Sequence, residues 1–379
     1  MRILFLSWRD IKSPHTGGAE TFTHYVLKRL VERGYSITHY SCGFKGGKKN
    51  EVIDGVTYVR GPQGLLRFVN GAKRFYKNDP KWDWVVDQRN SHHCFTHYWL
   101  PKHQPRALFI HQTTRELWYY ETKFPVSFLG NLQEALTLRS QNYFPAFTAS
   151  KTTAEELIRD FGFKKDRVFP FHQGLITPPP PIETLPEKFN DPTFIYVGRF
   201  SKYKGIDAAI KAIILFREKN GKGKLYIIGK KNLQFEQKIW NPIKKRYPNV
   251  EEFVTITGFV SEETRDELMG KSHAILVPSQ REGWGLIVTE SNAQNTPAIV
   301  YPSPGLEEAV KYGATGIITK KKNYQSLYNS MQYLWDHPKE RKEITKKARE
   351  WSEDFTWDIA GKQADDFFKN QYLLNLFKE

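Results

Sequence analysis

Cysteine is scarce in this sequence, and its scarcity excludes several classes of protein. The 379 residues include two cysteines, Cys42 and Cys94. Two cysteines cannot build a disulfide framework, and neither lies in a CxxC pair or at the Cys/His spacing of a structural zinc site. We therefore expect a reducing compartment, the cytoplasm, and a fold that depends on its hydrophobic core.

Long apolar runs are missing as well. No stretch approaches the roughly 20 apolar residues that a membrane-spanning helix requires. The first residues, MRILFLSWRD, end their apolar run at Arg9 and Asp10, so they predict a buried first strand and not a signal peptide. The sequence predicts no segment that crosses a bilayer.

Positive charge is plentiful, with 57 Lys and Arg against 41 Asp and Glu and a formal net charge of +16. Residues 1–110 contain 18 basic and 8 acidic residues, so most of the excess, 18 − 8 = +10, lies there. Such a field attracts phosphate-rich partners, namely nucleic acid, anionic lipid headgroups or a nucleotide. Charge alone does not choose among the three.

The order of apolar segments predicts two α/β domains. Short β-rich runs such as RILFLS alternate with amphipathic, helix-like segments, which is typical of βαβ units and parallel sheets. The pattern restarts at TFIYVG (193–198), after a connector stiffened by Pro178–Pro181. We predict domains at 1–178 and 182–357, with a C-terminal helix at about 358–379 that could pack back on the first domain or pack on the second. Two domains imply a cleft.

Two loops carry features of a phosphate site. Gly17 and Gly18, in SPHTGGAETF, would let backbone amides at a helix N-terminus approach a phosphate; the alternative is a tight turn that needs glycine for steric reasons. Arg199 and Lys204, in GRFSKYKGID, follow a strand whose carboxyl end is where open α/β sheets bind ligands. Together they could neutralise a diphosphate, unless this is simply a solvated basic loop.

A third loop combines glycines with two carboxylates. HAILVPS predicts a buried strand, QREGWG a loop and LIVTESNAQN a helix, which places the amides of Gly285 and Leu286 at a helix N-terminus. Glu282 and Glu290 could hold vicinal hydroxyls of a sugar or ribose. The alternative is that Glu282 pairs with Arg281 or a nearby lysine and that Glu290 faces water.

With these residues assembled, the chain resembles the retaining GT-B glycosyltransferases of family 4 over nearly its whole length. The resemblance rests on GGAE, on HQ at 111–112, on GRFSKYKG, on VPSQREGWGLIVTESNAQNTPAIVYPSPGLEEAV followed by YGATG, and on FTWD. Gln294-Asn295 and Gln173 depart from the usual family pattern. The resemblance implies an α/β fold of two Rossmann-like domains facing across a cleft, with an acceptor-side first domain and a donor-binding second domain.

The resemblance also implies the reaction, a hexosyl transfer from a UDP- or GDP-sugar to a glycan or lipid-linked acceptor with retention at the anomeric carbon. It implies catalytic roles for His111, Glu282, Arg199 and Lys204, and it implies donor binding by Gly17, Gly18, Arg199, Lys204, Glu282, Gly283, Trp284, Gly285, Leu286 and Glu290. No DxD sequence occurs, and Arg199, Lys204 and helix dipoles would replace a divalent metal. We expect no metal site and no cofactor beyond the nucleotide-sugar substrate.

The acceptor side is less defined. Arg115, Glu116 and Glu121 are candidate acceptor contacts or ordinary helix-surface pairs. Residues 64–77, GLLRFVNGAKRFYK, have apolar residues at helical spacing among basic ones. Such a helix either lies in an anionic membrane interface or covers the sheet with a charged outer face. The first reading predicts a peripheral protein at the inner membrane face.

Two other functions compete with this prediction. A GT-B sugar-nucleotide hydrolase or epimerase would share the domains and the diphosphate site, but it needs in-line acid and base residues, and the Glu282/Glu290 pattern favours transfer. A basic nucleic-acid-binding protein would show an RRM, KH or OB module, and we find none. We therefore expect no nucleic-acid partner.

Overall fold

The computed structural model describes residues 1–89 and 92–376, with side chains up to residue 371. Within these ranges the strands are β1 (Arg2–Ser7), β2 (Ser36–Cys42), β3 (Asn50–Ile53), β4 (Val56–Gly61), β5 (Trp84–Arg89), β6 (Arg106–Ile110), β7 (Ala146–Thr148), β8 (Val168–Pro170), β9 (Thr193–Val197), β10 (Lys224–Ile228), β11 (Val254–Gly258), β12 (Ala274–Val277), β13 (Ala298–Val300) and β14 (Gly316–Ile318). The helices are α1 (Gly18–Glu32), α2 (Leu65–Asn78), α3 (Leu117–Glu121), α4 (Val126–Ser140), α5 (Lys151–Phe161), α6 (Ile206–Asn220), α7 (Leu233–Phe235), α8 (Asn241–Arg246), α9 (Glu262–Lys271), α10 (Leu286–Ala293), α11 (Leu306–Ala309), α12 (Tyr324–Asp336), α13 (Pro338–Glu353) and α14 (Trp357–Leu376).

The chain forms two compact units. The first contains Met1–Arg115, Phe128–Gly174 and the segment from Thr356 onward, and the second contains Glu116–Ser127 and Leu175–Phe355. The C-terminal helix α14 thus belongs to the first unit, while residues 116–127, placed in the first domain by the sequence, group with the second. Near residue 174 the chain passes from the first unit to the second, and local contacts mark this boundary. Leu175 N donates to Phe355 O (3.1 Å) in the second unit, whereas the Trp357 ring fills the space beside Gly174 in the first.

The first unit is built on an eight-stranded sheet in the order β3-β4-β2-β1-β5-β6-β7-β8. All pairs are parallel except β3 with β4. Aromatic residues dominate the core on one face, where Phe109 and Phe147 of the sheet stack with ring centroids 4.4 Å apart. Phe367 of α14 packs edge-on against Phe147 at 5.4 Å. The C-terminal helix is therefore part of this core.

The second unit is built on a parallel six-stranded sheet in the order β11-β10-β9-β12-β13-β14. Counted from β9, this is the 3-2-1-4-5-6 order of a Rossmann fold, in which ligands bind at the carboxyl ends of the two central strands where the strand order reverses. Those strands are β9 and β12. The predicted α/β class is confirmed, and the loops after β9 and β12 are the ones that carry the predicted donor residues.

Helix α2 does not offer the apolar face that a membrane helix requires. Phe68, Ala72 and Tyr76 are buried, and Phe68 stacks on Tyr40 of β2 at 5.9 Å. The outer face of α2 is basic, and the large apolar side chain exposed on this helix is that of Leu66, which is 79% exposed. The sheet already covers the apolar stripe of residues 64–77, as expected for a helix that covers the sheet with a charged outer face. Among the helices of the described ranges, none is both long and apolar enough to cross a bilayer.

Candidate active site

The loops that follow β9 and β12 meet in the second unit. Gln280 N donates to the carbonyl of Tyr203 at 2.8 Å. Gly205 caps the N-terminus of α6 with a φ of +69°, and a Cβ there would lie 2.2 Å from the carbonyl oxygen of Pro278. Only glycine permits both the left-handed backbone and this approach. The close contact places Lys204, one residue earlier, beside the loop that carries Glu282.

Lys204 and Glu282 form an ion pair, with Nζ 2.5 Å from Oε1. Their side chains are 20% and 14% exposed. Burial acts to lower the pKa of Lys204, but the Glu282 carboxylate and Tyr203 outweigh it, and the net pKa lies above the usual value. Lys204 is thus held as a cation. Sequence reasoning predicted both residues, one for phosphate and one for sugar, but it did not predict their pairing.

Tyr203 links the two predicted cations and was missed by the sequence analysis. Arg199 Nη2 donates to the Tyr203 hydroxyl at 3.3 Å, and Lys204 Nζ lies 5.2 Å from the centre of the Tyr203 ring. Tyr203 is buried and sits in a short 3₁₀ turn, Lys202–Lys204. The sequence gave no indication of this role for Tyr203, which stands between two lysines. Its contacts with Arg199 and Lys204 form only when the turn folds over the end of β9.

The Glu282–Gly285 loop leads directly into α10. The predicted strand–loop–helix order is confirmed, with Gly285 (φ +99°) as the N-cap of α10. Gly305 presses against this loop, since a Cβ on it would lie 2.4 Å from the carbonyl oxygen of Glu282. The Trp284 ring is buried against Phe355 at 5.3 Å. The loop is therefore fixed from both sides, and Gly283, Gly285 and Leu286 contribute backbone groups near the positive end of a helix dipole.

Glu290 lies on α10 and is enclosed, not solvated. Its side chain is 16% exposed, and its Oε2 lies 3.9 Å from Nη1 of Arg265 on α9. Burial raises the pKa of Glu290, and Arg265 opposes that shift. The alternative that Glu290 faces water is wrong. Glu282 pairs with the sequence-distant Lys204 and not with its neighbour Arg281, which pairs with Glu116, with Nε 2.9 Å from Oε1.

His111 lies in the first unit, directly after β6. It is buried, and the side-chain amide nitrogen of Gln88 lies 2.9 Å from its Nε2. Thr23 Oγ1 is 3.4 Å from the same nitrogen. Because the Gln88 amide donates, Nε2 is the acceptor and the ring proton sits on Nδ1. Burial lowers the pKa of His111 to about 3, so the ring is neutral near pH 7.

Gly17 and Gly18 lie where α1 begins. Gly17 N donates to Oε2 of Glu20 at 2.8 Å, and Glu20 is buried. A carboxylate therefore already satisfies the first free amide of this helix, as in a capping box. The Gly-x-x-Glu spacing of GGAE carries that signal, which sequence reasoning did not use.

The three candidate acceptor contacts have different partners. Arg115 pairs with Asp160 in the first unit, and Glu116 pairs with Arg281 in the second. Glu121 is also in the second unit, where burial raises its pKa and the charges of Arg199 and Lys202 oppose the rise. Arg115 and Glu116 therefore form ion pairs with sequence-distant residues, and Glu121 is the member near Arg199.

Substitution of Gly205 should damage this site through the backbone. Gly205→Ala combines a disfavoured φ with a clash on Pro278, and we expect it to lower the free energy of unfolding by about 3 kcal/mol. Gly221→Ala is the matched control, since Gly221 ends the same helix at φ +71° with no atom within 4 Å of the added Cβ. It should cost about 1 kcal/mol. Chemical denaturation measures both, and equal losses would show that the Pro278 contact is unimportant.

His111 predicts a pH dependence of stability. Its pKa in the folded chain lies below the unfolded value, so the unfolded state takes up the proton first and stability falls as pH drops below about 6.5. Between pH 7 and pH 5, His111 should contribute a loss of about 2 kcal/mol. Between pH 7 and pH 5 the free energy of unfolding of His111→Gln, measured by urea denaturation, should therefore fall by about 2 kcal/mol less than that of the wild type. A variant with the wild-type pH slope would contradict the low pKa.

Both halves of the chain match glycosyltransferase families. Residues 16–177 match the family Glycosyltransferase Family 4, and residues 182–351 match Glycosyl transferases group 1. An uncharacterized glycosyltransferase of Methanocaldococcus jannaschii is 25% identical over 374 residues, which cover 94% of this chain and 96% of the relative.

Solved structures agree on the fold. Sucrose-phosphate synthase from Thermosynechococcus elongatus superposes with a TM-score of 0.81 at 18% identity, covering 98% of this chain and 99% of the other. HepE from Anabaena, solved in complex with UDP-glucose, gives 0.73 at 16% identity, covering 98% and 100%. The chain therefore belongs to the group 1 glycosyltransferases of family 4 and has the GT-B fold of two Rossmann-like domains.

Proposed function

We propose that this glycosyltransferase moves a hexose from a UDP- or GDP-sugar to a glycan or lipid-linked acceptor, with retention at the anomeric carbon and without a metal ion. The observation that carries the proposal lies in the second unit. There, Arg199, the Lys204–Glu282 pair and the N-terminus of α10 follow the two central strands of a Rossmann sheet. That is the edge at which such sheets bind nucleotides.

The cations would act on the leaving group. As the bond to the sugar breaks, negative charge grows on the nucleotide diphosphate, and fixed positive groups stabilise that charge. Lys204 is kept charged by Glu282, and Nζ has further N–H groups to donate to a phosphate oxygen. Arg199 is oriented by Tyr203. We infer that these two residues supply the charge that a divalent metal supplies in other glycosyltransferases.

The carboxylates would hold the two ends of the donor. Glu282 keeps acceptor capacity beyond its bond to Lys204, because an ionised carboxylate has about four acceptor positions, and we assign it to the hydroxyls of the donor sugar. Glu290, enclosed on α10, is assigned to the ribose hydroxyls. The bound UDP-glucose of HepE, a protein with the same fold, supports a nucleotide-sugar donor.

His111 would position, and not attack. A ring whose pKa is about 3 carries no proton to give near pH 7 on Nε2, and its Nδ1–H is a hydrogen-bond donor. We therefore assign it a hydrogen bond to the sugar or the acceptor. Retention would then follow from attack on the face that the leaving group departs from, with the leaving phosphate accepting the acceptor's proton.

The cellular setting is part of the proposal. Cys42 and Cys94 are free thiols, as expected in a reducing compartment. We therefore place the reaction in the cytoplasm.

A transfer assay tests the proposal. The full chain is incubated with UDP-glucose, GDP-mannose or ADP-glucose and a mixture of glycan and lipid-linked acceptors, in excess EDTA, and the anomeric configuration of the product is read by NMR. We expect transfer in EDTA from a UDP- or GDP-sugar with the donor's configuration preserved. Inversion, loss of activity in EDTA, or release of free sugar without transfer would each overturn part of the proposal, the last in favour of a hydrolase.

A further inference from the structure

The outer face of helix α4 is apolar, which is unusual for a surface helix. Leu129, Leu132 and Leu136, spaced by three and four residues, are 57%, 44% and 57% exposed, and Phe128 beside them is 50% exposed. Residues at this spacing form one stripe along a helix. A stripe of adjacent large apolar side chains differs from single exposed ones and marks an interaction surface.

The inner face of the same helix is mostly polar. Ser127, Glu134 and Thr137 are buried together with Leu138. Glu134 accepts hydrogen bonds from the backbone amides of Thr114 (2.7 Å) and Arg115 (2.8 Å). The helix is thus fixed in its orientation by its polar side, and it could not turn the leucines inward without breaking these bonds.

The charges around the stripe favour a negatively charged partner. Between the exposed Glu121 and Glu155 the sequence contains one acidic residue, the buried Glu134, and two exposed lysines, Lys123 and Lys151. Arg139 is exposed on the same helix, and Tyr143, just beyond it, is 54% exposed. Leucines flanked by basic and aromatic residues are the composition of surfaces that enter the headgroup region of a bilayer.

We propose that the outer face of α4, formed by Phe128, Leu129, Leu132, Leu136 and Arg139, docks onto an anionic lipid bilayer. The leucines and Phe128 would enter the boundary between headgroups and acyl chains, and Arg139 would meet the headgroups. The basic excess of the N-terminal part of the chain would add long-range attraction. The surface replaces α2 as the membrane contact, and its assignment does not depend on the identity of the donor.

Vesicle co-sedimentation of the full chain tests this surface. We expect binding to equimolar phosphatidylcholine and phosphatidylglycerol vesicles, with weaker binding in high salt and to phosphatidylcholine alone. The variant L129S/L132S/L136S should reduce the partition coefficient at least about tenfold, because three apolar side chains leave the bilayer. Its melting temperature should stay near that of the wild type, since the replaced side chains are half exposed.

A matched control replaces three exposed apolar residues elsewhere. L66S/L233S/F259S removes side chains that are 79%, 78% and 90% exposed, and it should bind vesicles as the wild type does. Equal loss in both triple variants would overturn the assignment to α4, as would a wild-type chain that ignores anionic vesicles. Sedimentation velocity tests whether a second copy of the chain covers the stripe instead. A wild type that is dimeric and does not bind vesicles, together with a monomeric α4 variant, would show that it does and would overturn the proposal.

Discussion

Replacement of Lys204 by alanine is expected to lower kcat by about 10²-fold or more, the scale for losing one group that stabilises transition-state charge. Two effects combine. The diphosphate loses a cation that Glu282 keeps protonated, and Glu282 loses the partner 2.5 Å away that orients it. Arg199→Ala should fall in the same range. Steady-state kinetics with a saturating donor measures both.

A second lysine on the same helical region provides the control. Lys211 pairs with Asp207 at 3.1 Å on α6, but the two side chains are 49% and 39% exposed. Lys211→Ala removes an equal charge from a solvated pair and should leave kcat within about twofold of the wild type. If Lys211→Ala and Lys204→Ala reduce kcat equally, the effect is one of overall charge, and Lys204 has no special place. Circular dichroism of each variant excludes unfolding as the cause.

Replacement of Glu290 by alanine should weaken nucleotide binding about tenfold to a hundredfold, the range for charged hydrogen bonds to a ligand. The ribose hydroxyls would lose their acceptor, and Arg265 would keep Asp266 as its partner, at 2.8 Å. Calorimetric titration with the nucleoside diphosphate measures the loss. Glu267→Ala, on α9 and 56% exposed in its pair with Lys271, should bind as the wild type does.

A substrate change makes the Glu290 prediction sharper. The wild type should bind the 2′,3′-dideoxy nucleotide more weakly than the ribonucleotide, and Glu290→Ala should bind the two equally. A variant that still discriminates between them would contradict the ribose assignment even if its affinity were reduced, because the discriminating contact would then lie elsewhere.

Sequence reasoning predicted the elements of the donor side well, because they depend on local patterns. A strand precedes each of the glycine-containing loops GRFSKYKG and QREGWG, and a helix follows each loop, as the sequence predicted. What it missed depends on contacts between distant segments. The Lys204–Glu282 pair joins residues 78 positions apart, and the Gln88 amide reaches His111 from a neighbouring strand.

Helices were harder to interpret than loops. The α2 sequence has the composition of an interfacial helix, yet its apolar stripe is used by the sheet. The α4 sequence alternates less regularly and drew no prediction, yet its leucines are exposed. An apolar stripe shows that a surface needs a partner, and only the fold decides whether that partner is the chain's own core.

In the mechanism that we propose, positive groups in the second unit bind a nucleotide diphosphate. A thermal-shift titration tests it most directly, since a ligand that binds only the folded state raises Tm by mass action. UDP-, GDP- and ADP-sugars would be titrated into the wild type and into Arg199→Ala/Lys204→Ala. We expect a concentration-dependent rise in Tm with a UDP- or GDP-sugar, and we expect most of this rise to disappear in the double variant. An equal rise in both proteins, or none in the wild type, would contradict it.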